Sequence, residues 1–152
     1  MQGFGILSLL VWLPIAGGVA VLALGDRRIV AARWLALVVS LATVAITIPL
    51  WTGFDRGTAE FQFVEHLPWI MAFNSWYHLG VDGISLPLIV LTAVMTVPVV
   101  ITAWTVIEKR PAQYYAAFLI MAGLMIGVFA AIDGLLFYFF WEAMLIPMFL
   151  II

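Results

Sequence analysis

Five stretches of this 152-residue chain run for about the length of a bilayer crossing with no charged side chain, or with only one, and this limits what the chain can fold into. A helix needs about 20 apolar residues to cross a hydrocarbon core of roughly 30 Å. The stretches are 1–25, 34–54, 83–107, 111–132 and 134–152, and only the last is interrupted, by Glu142. In lipid only helices and closed barrels satisfy their own backbone, and barrel strands alternate in polarity over about ten residues, which these runs do not. The sequence therefore predicts an all-α membrane protein with five transmembrane helices at about 3–25, 34–53, 84–107, 113–132 and 135–152. They form a single membrane domain over 1–152, with one long loop at 54–82.

Composition agrees and excludes other classes. Hydrophobic residues make up 66% of the chain and charged residues 9%, against about 25% charged in soluble domains. Six basic residues against eight acidic ones leave no dense cationic surface for nucleic acid. With no cysteine there is no disulfide, thiolate metal site or cysteine nucleophile. No phosphate-cradling glycine loop, haem-ligand pair or Ser/His/Asp set is present, so neither nucleotide binding nor redox chemistry is expected of this chain itself. The N-terminus lacks the positive charge of a secretory signal and its apolar run is too long, so the first helix is expected to stay in the mature protein. The chain stops inside an apolar span with no interfacial anchor, as expected of the N-terminal part of a longer protein.

The connecting loops set orientation. Arg27, Arg28 and Arg33 lie in the first and Lys109 and Arg110 in the third. The second and fourth are mainly acidic, with Asp55, Glu60, Glu65, Asp82 and Asp133. Basic loops face the cytoplasm, so the N-terminus is expected outside and the fifth helix runs from outside to inside. Within the long outer loop, 61–66 and 76–79 alternate like strands, and Asn74-Ser75 supplies turn chemistry between them. A hairpin at the interface is expected, with Trp69, Trp76 and Tyr77 at headgroup depth and His66 and His78 solvated. The two histidines lack metal-ligand spacing.

Glu142 is read as the one charged side chain inside a span. Nine residues separate it from Asp133 at the outer edge, which at 1.5 Å each puts it about 13–14 Å deep, close to the middle of a core of roughly 30 Å. An exposed acid there costs on the order of 3 kcal/mol. Burial favours its protonated form and a nearby cation its ionised form, so it suits a proton relay or ion site. The alternative is a structural acid hydrogen-bonded between helices. Pro147 frees the carbonyl of Ala143, next to Glu142, where a water could bind. On the fourth helix Gly123 and Gly127, extended by Ala116 and Ala130, form a small-residue face for close helix packing, and Gly17 and Gly18 read likewise. Asp82 and Asp133 each precede a glycine at the start of a span and read as helix caps.

Two segments carry a family resemblance: Tyr77-His78-Leu79-Gly80-Val81-Asp82-Gly83-Ile84-Ser85, and Leu136-Phe137-Tyr138-Phe139-Phe140-Trp141-Glu142-Ala143-Met144-Leu145-Ile146-Pro147. With the layout of spans, the chain resembles the N-terminal third of the antiporter-like subunit M family of the proton-pumping NADH:quinone oxidoreductase, respiratory complex I, called subunit 4 in mitochondria. The resemblance covers nearly the whole chain. It implies a subunit of about fourteen helices built on inverted repeats, in an energy-transducing inner membrane, that moves protons as quinone is reduced elsewhere. The family's acid on its fifth helix falls on Glu142, and its lysine partners lie on later helices. Flavin, iron–sulfur clusters and quinone are implied in other subunits, none in this chain. The implied partners are the other membrane subunits of complex I and the lipid bilayer. Two further readings stand beside this one: a subunit of a multisubunit Na⁺/H⁺ antiporter, and a structural membrane subunit with no transport role.

Overall fold

The computed structural model describes residues 5–151. It contains five long helices: α1 (Ile6–Leu24), α2 (Ile29–Thr52), α3 (Ser85–Val106), α4 (Pro111–Ala130) and α5 (Gly134–Ile151). All are long and apolar enough to cross a membrane. Between α2 and α3 lie two antiparallel strands, β1 (Gln62–Ile70) and β2 (Ser75–Val81). The expected start of the first helix at residue 3 and the end of the fifth at 152 lie outside the described residues.

The second and fourth helices move from their expected places. α2 begins at Ile29 rather than 34, because a short 3-10 turn at Asp26–Arg28 leads directly into it. Arg33 therefore sits inside a helix, with its guanidinium carbon 5.9 Å from the Trp104 ring centre on α3. Glu142 is thus not the only charged side chain on a spanning helix. A cation near a helix end can keep its head at the interface and cover apolar surface with its stem. α4 begins at Pro111, where a proline's missing N–H costs the helix nothing, and ends at Ala130 rather than 132. Ala131 and Ile132 leave it to join the hairpin: Leu79 bridges Ala131, and Ile132 N–H donates to the His78 carbonyl at 2.8 Å.

α4 is the central helix. It packs on α1, α2, α3 and α5, and 61% of its apolar window is buried, against 17% for α5. Small residues make this possible. A Cβ on Gly123 would lie 2.5 Å from the Val11 carbonyl oxygen and 2.6 Å from Ile15 on α1. One on Gly127 would lie 2.9 Å from the Phe140 ring on α5. The two glycines thus serve different neighbours. On α1, a Cβ on Gly17 would lie 2.6 Å from Val39 of α2, and one on Gly18 would lie 2.7 Å from Ile120 of α4. Two apolar clusters result. One, at the hairpin end, includes Leu7, Leu10, Leu79, Ile126, Leu136 and Phe140. The other, at the opposite end, includes Val21, Ala36, Val100, Tyr115 and Leu119.

The first four N–H groups of a helix have no partner within it. Four of the five helices meet a carboxylate at that end, where the helix dipole also favours negative charge. Asp82 accepts from Ile84 N–H and Ser85 N–H at α3, and Asp133 accepts from Leu135 N–H and Leu136 N–H at α5. Asp26 reaches from the α1–α2 connection to Ala112 N–H at α4, at 3.0 Å. Glu65, on β1, accepts from Gly5 N–H at 2.8 Å, Ser8 N–H at 3.0 Å and the Ser8 hydroxyl at the start of α1.

Candidate functional site

Asp133 fixes where α5 begins. Besides its two cap bonds it accepts from the Ser75 hydroxyl and from Trp76 N–H, both at 3.0 Å. These bonds, the Trp76 N–H first among the causes, hold its carboxyl below the usual carboxylate range. Asp82 is held low in the same way, chiefly by Ser85 N–H. The hairpin, the α4–α5 connection and the first turn of α5 are thus tied together at one point, and Glu142 stands nine residues further along.

At about 100° per residue, Leu136, Phe140 and Pro147 fall on one stripe of α5, and these three are its buried residues. Glu142 lies on the opposite stripe and is exposed. With Tyr138, Phe139, Ile146 and Phe149 it lines an open apolar groove of about 900 Å³, closed at the hairpin end by Trp69 and Phe73. Trp69 packs edge-on against Phe139 with ring centres 5.5 Å apart. Glu142 is the one acid in that groove. Among the described residues no hydrogen bond reaches it, so these five helices do not supply the partner that a structural acid between helices would need.

The other residues singled out by sequence are placed as follows. Pro147 is buried on the side facing α4 and Glu142 faces away, while Ala143, half-buried between them, lines the groove beside Glu142. The carboxylate and the residue whose carbonyl the proline frees are adjacent in the chain and border the same groove. Gly123 and Gly127 are packing positions on α4, distant in role from the groove. His66 and His78 are not solvated loop residues. They are cross-strand partners with ring centres 4.5 Å apart, both half-buried, and His66 also stacks near Trp76 at 4.5 Å. Burial, with His66 beside it, pushes His78 below its ordinary value, and Asp133 opposes this. Among the described residues no group of three or more metal-binding side chains gathers.

Sequence reasoning missed the cluster around Glu65. This acid, expected in an exposed outer loop, is 3% exposed. The Ser8 hydroxyl that donates to it lies 2.8 Å from the Tyr77 hydroxyl, which in turn accepts from the Trp12 indole N–H at 2.9 Å. One signal was present: Phe63, Glu65 and Leu67 alternate along β1, putting an acid in register with apolar neighbours. Such an acid needs buried donors.

Bilayer-length helices around a glycine-packed centre, with one acid on the open face of the last, define a multi-pass membrane protein. The chain belongs to the family described as NADH-ubiquinone oxidoreductase chain 4, amino terminus, whose profile matches residues 30–131. It is 42% identical over 96% of its length to NADH-ubiquinone oxidoreductase chain 4 of Arabidopsis thaliana, covering 30% of that protein. It is 44% identical over 97% of its length to NADH-quinone oxidoreductase subunit M of Rhodobacter capsulatus, covering 29%. To F(420)H(2) dehydrogenase subunit M of Methanosarcina mazei it is 39% identical over 74% of its length, covering 23%. The chain therefore spans about three tenths of the length of the first relatives it matches.

Proposed function

We propose that this chain works as part of a proton-translocating subunit in the membrane arm of an NADH:quinone oxidoreductase, with Glu142 as a proton relay. Its place would be an energy-transducing membrane, either the bacterial cytoplasmic or the mitochondrial inner membrane, with the N-terminus on the outer side. Electron transfer through flavin, iron–sulfur clusters and quinone belongs to other subunits, and the partners are the other membrane subunits and lipid.

The observation that carries this reading is the setting of Glu142. A lone acid on an apolar helix face costs on the order of 3 kcal/mol if left to lipid. The face is therefore covered in the working protein by something that solvates or pairs with the carboxylate. A cation on another helix, as in the resembled family, would keep it ionised. Weakening that pairing would favour proton uptake, and restoring it would favour release. Pro147 adds a loosened carbonyl at Ala143, beside the acid at the edge of the groove.

The test is Glu142→Gln in the full-length subunit within the assembled complex. Gln keeps the size and hydrogen bonding but cannot release a proton. The complex should assemble normally yet lose most quinone reduction and proton release in membrane vesicles. Glu142→Asp, shorter by one methylene, should retain partial activity. Full pumping with Gln at 142 would remove the relay, and failed assembly would favour a structural acid.

A further inference from the structure

The end of the helix bundle opposite the hairpin carries a second feature that the relay does not use. Two apolar clefts lie between α3 and α4, of about 140 Å³ and 240 Å³, and they share Met95, Val99 and Phe118. Together they form one furrow from Thr92 and Met125 down to Ile107 and Tyr114. Fifteen residues of α3 at 1.5 Å each make it about 22 Å long, more than one leaflet of a core of roughly 30 Å. Two of its three threonines turn their hydroxyls inward: Thr92 and Thr96 both donate at 2.8 Å to carbonyls of their own helix, Leu88 and Thr92. Flexible thioethers from Met95, Met121 and Met125 suit a surface that adapts to a disordered apolar occupant.

The furrow ends directly below Glu108, Lys109 and Arg110, all exposed. The bond from Ala112 N–H to Asp26 brings the Asp26–Arg28 turn against the start of α4, beside Arg110. Five of the chain's six basic residues, Arg27, Arg28, Arg33, Lys109 and Arg110, thus gather at this end, against the acids Asp26 and Glu108. Asp26 is already engaged as a helix cap. Basic connections beside interhelical clefts recognise anionic headgroups.

We propose that the α3–α4 furrow holds an acyl chain of an anionic phospholipid whose headgroup phosphate rests on Lys109 and Arg110. The charge at the furrow mouth selects the anionic lipid, and the depth of the furrow selects an acyl chain. The full-length subunit in its assembled complex is reconstituted into phosphatidylcholine vesicles. These carry a trace of phosphatidylglycerol, or of phosphatidylcholine, bearing a photoreactive diazirine in the acyl chain. At equal assembled complex, the phosphatidylglycerol probe should label peptides containing Met95, Val99 or Phe118 at least fivefold more than the phosphatidylcholine probe. Lys109→Gln with Arg110→Asn should bring labelling down to the phosphatidylcholine level; Asn suits the left-handed backbone at 110 (φ 49°). Should that pair disturb the turn, Thr102→Phe fills the furrow below an intact turn and should lower labelling severalfold. Equal labelling by both probes, or labelling indifferent to the charge variants, would overturn the proposal. So would no labelling by either probe, the result expected if another helix covers the furrow.

Discussion

At the scale of single residues, the acids of this chain divide by what they satisfy. Asp26, Glu65, Asp82 and Asp133 each accept backbone N–H groups at a helix start, whereas Glu142 faces an apolar groove. Glu65 is the most buried of the caps and joins a strand to a helix about sixty residues away. Removing one partner of a buried hydrogen bond costs about 1–3 kcal/mol. Glu65→Ala strands two N–H groups and leaves the Ser8 hydroxyl only Tyr77 as a partner, so it should lower the thermal stability of the assembled complex measurably. Glu65→Gln keeps one acceptor and should cost less. The control is Glu60→Ala, in the exposed part of the same loop; equal melting temperatures for Glu65→Ala and Glu60→Ala would show that the cap does not matter. Asp82 and Asp133 were legible as caps because their donors lie two and three residues ahead. Glu65 and Asp26 were not, because theirs lie 57–60 and 86 residues away.

Helices associate in lipid by close packing, since apolar surface gains nothing by leaving lipid for protein. At this scale the glycines of α4 matter most. Gly123 meets backbone, the Val11 carbonyl, so no side-chain movement relieves a larger residue there. Gly123→Leu should therefore push α1 from α4 and sharply reduce the amount of assembled complex on a native gel, while Leu124→Ile, nearly equal in volume, should not. Normal assembly with Leu at 123 would contradict the packing described. Gly127 meets the face of the Phe140 ring, a side chain that can shift or be trimmed where a backbone carbonyl cannot, so substitution there is the milder change. The small-residue pattern was readable in sequence, but not that the two glycines face different helices. The helices are apolar all round, so periodicity did not mark which face meets which neighbour.

For the whole molecule, the basic residues of the Asp26–Arg28 turn and of the α3–α4 connection lie at the end opposite the hairpin. If the positive-inside rule holds, that end is cytoplasmic. Single cysteines in this cysteine-free stretch test it, and the structure chooses the positions. Arg28, Glu60 and Lys109 are exposed, whereas Glu65 is buried and Asp133 is bound to the hairpin. In sealed vesicles of known sidedness, an impermeant thiol reagent added outside should label position 60 but not 28 or 109. Labelling of 109 from outside would reverse the orientation.

Length and hydropathy alone determined that the chain forms five bilayer-length helices, because a backbone in lipid has no other donor or acceptor than itself. Alternation and turn residues likewise predicted the hairpin between the second and third. Tertiary structure decided that α4 is central, that the hairpin clamps α1 through Glu65 and α5 through Asp133, and that Glu142 faces outward, away from Pro147. Each depends on contacts between segments far apart in the chain, and an all-apolar helix carries no mark of which side its partner will take.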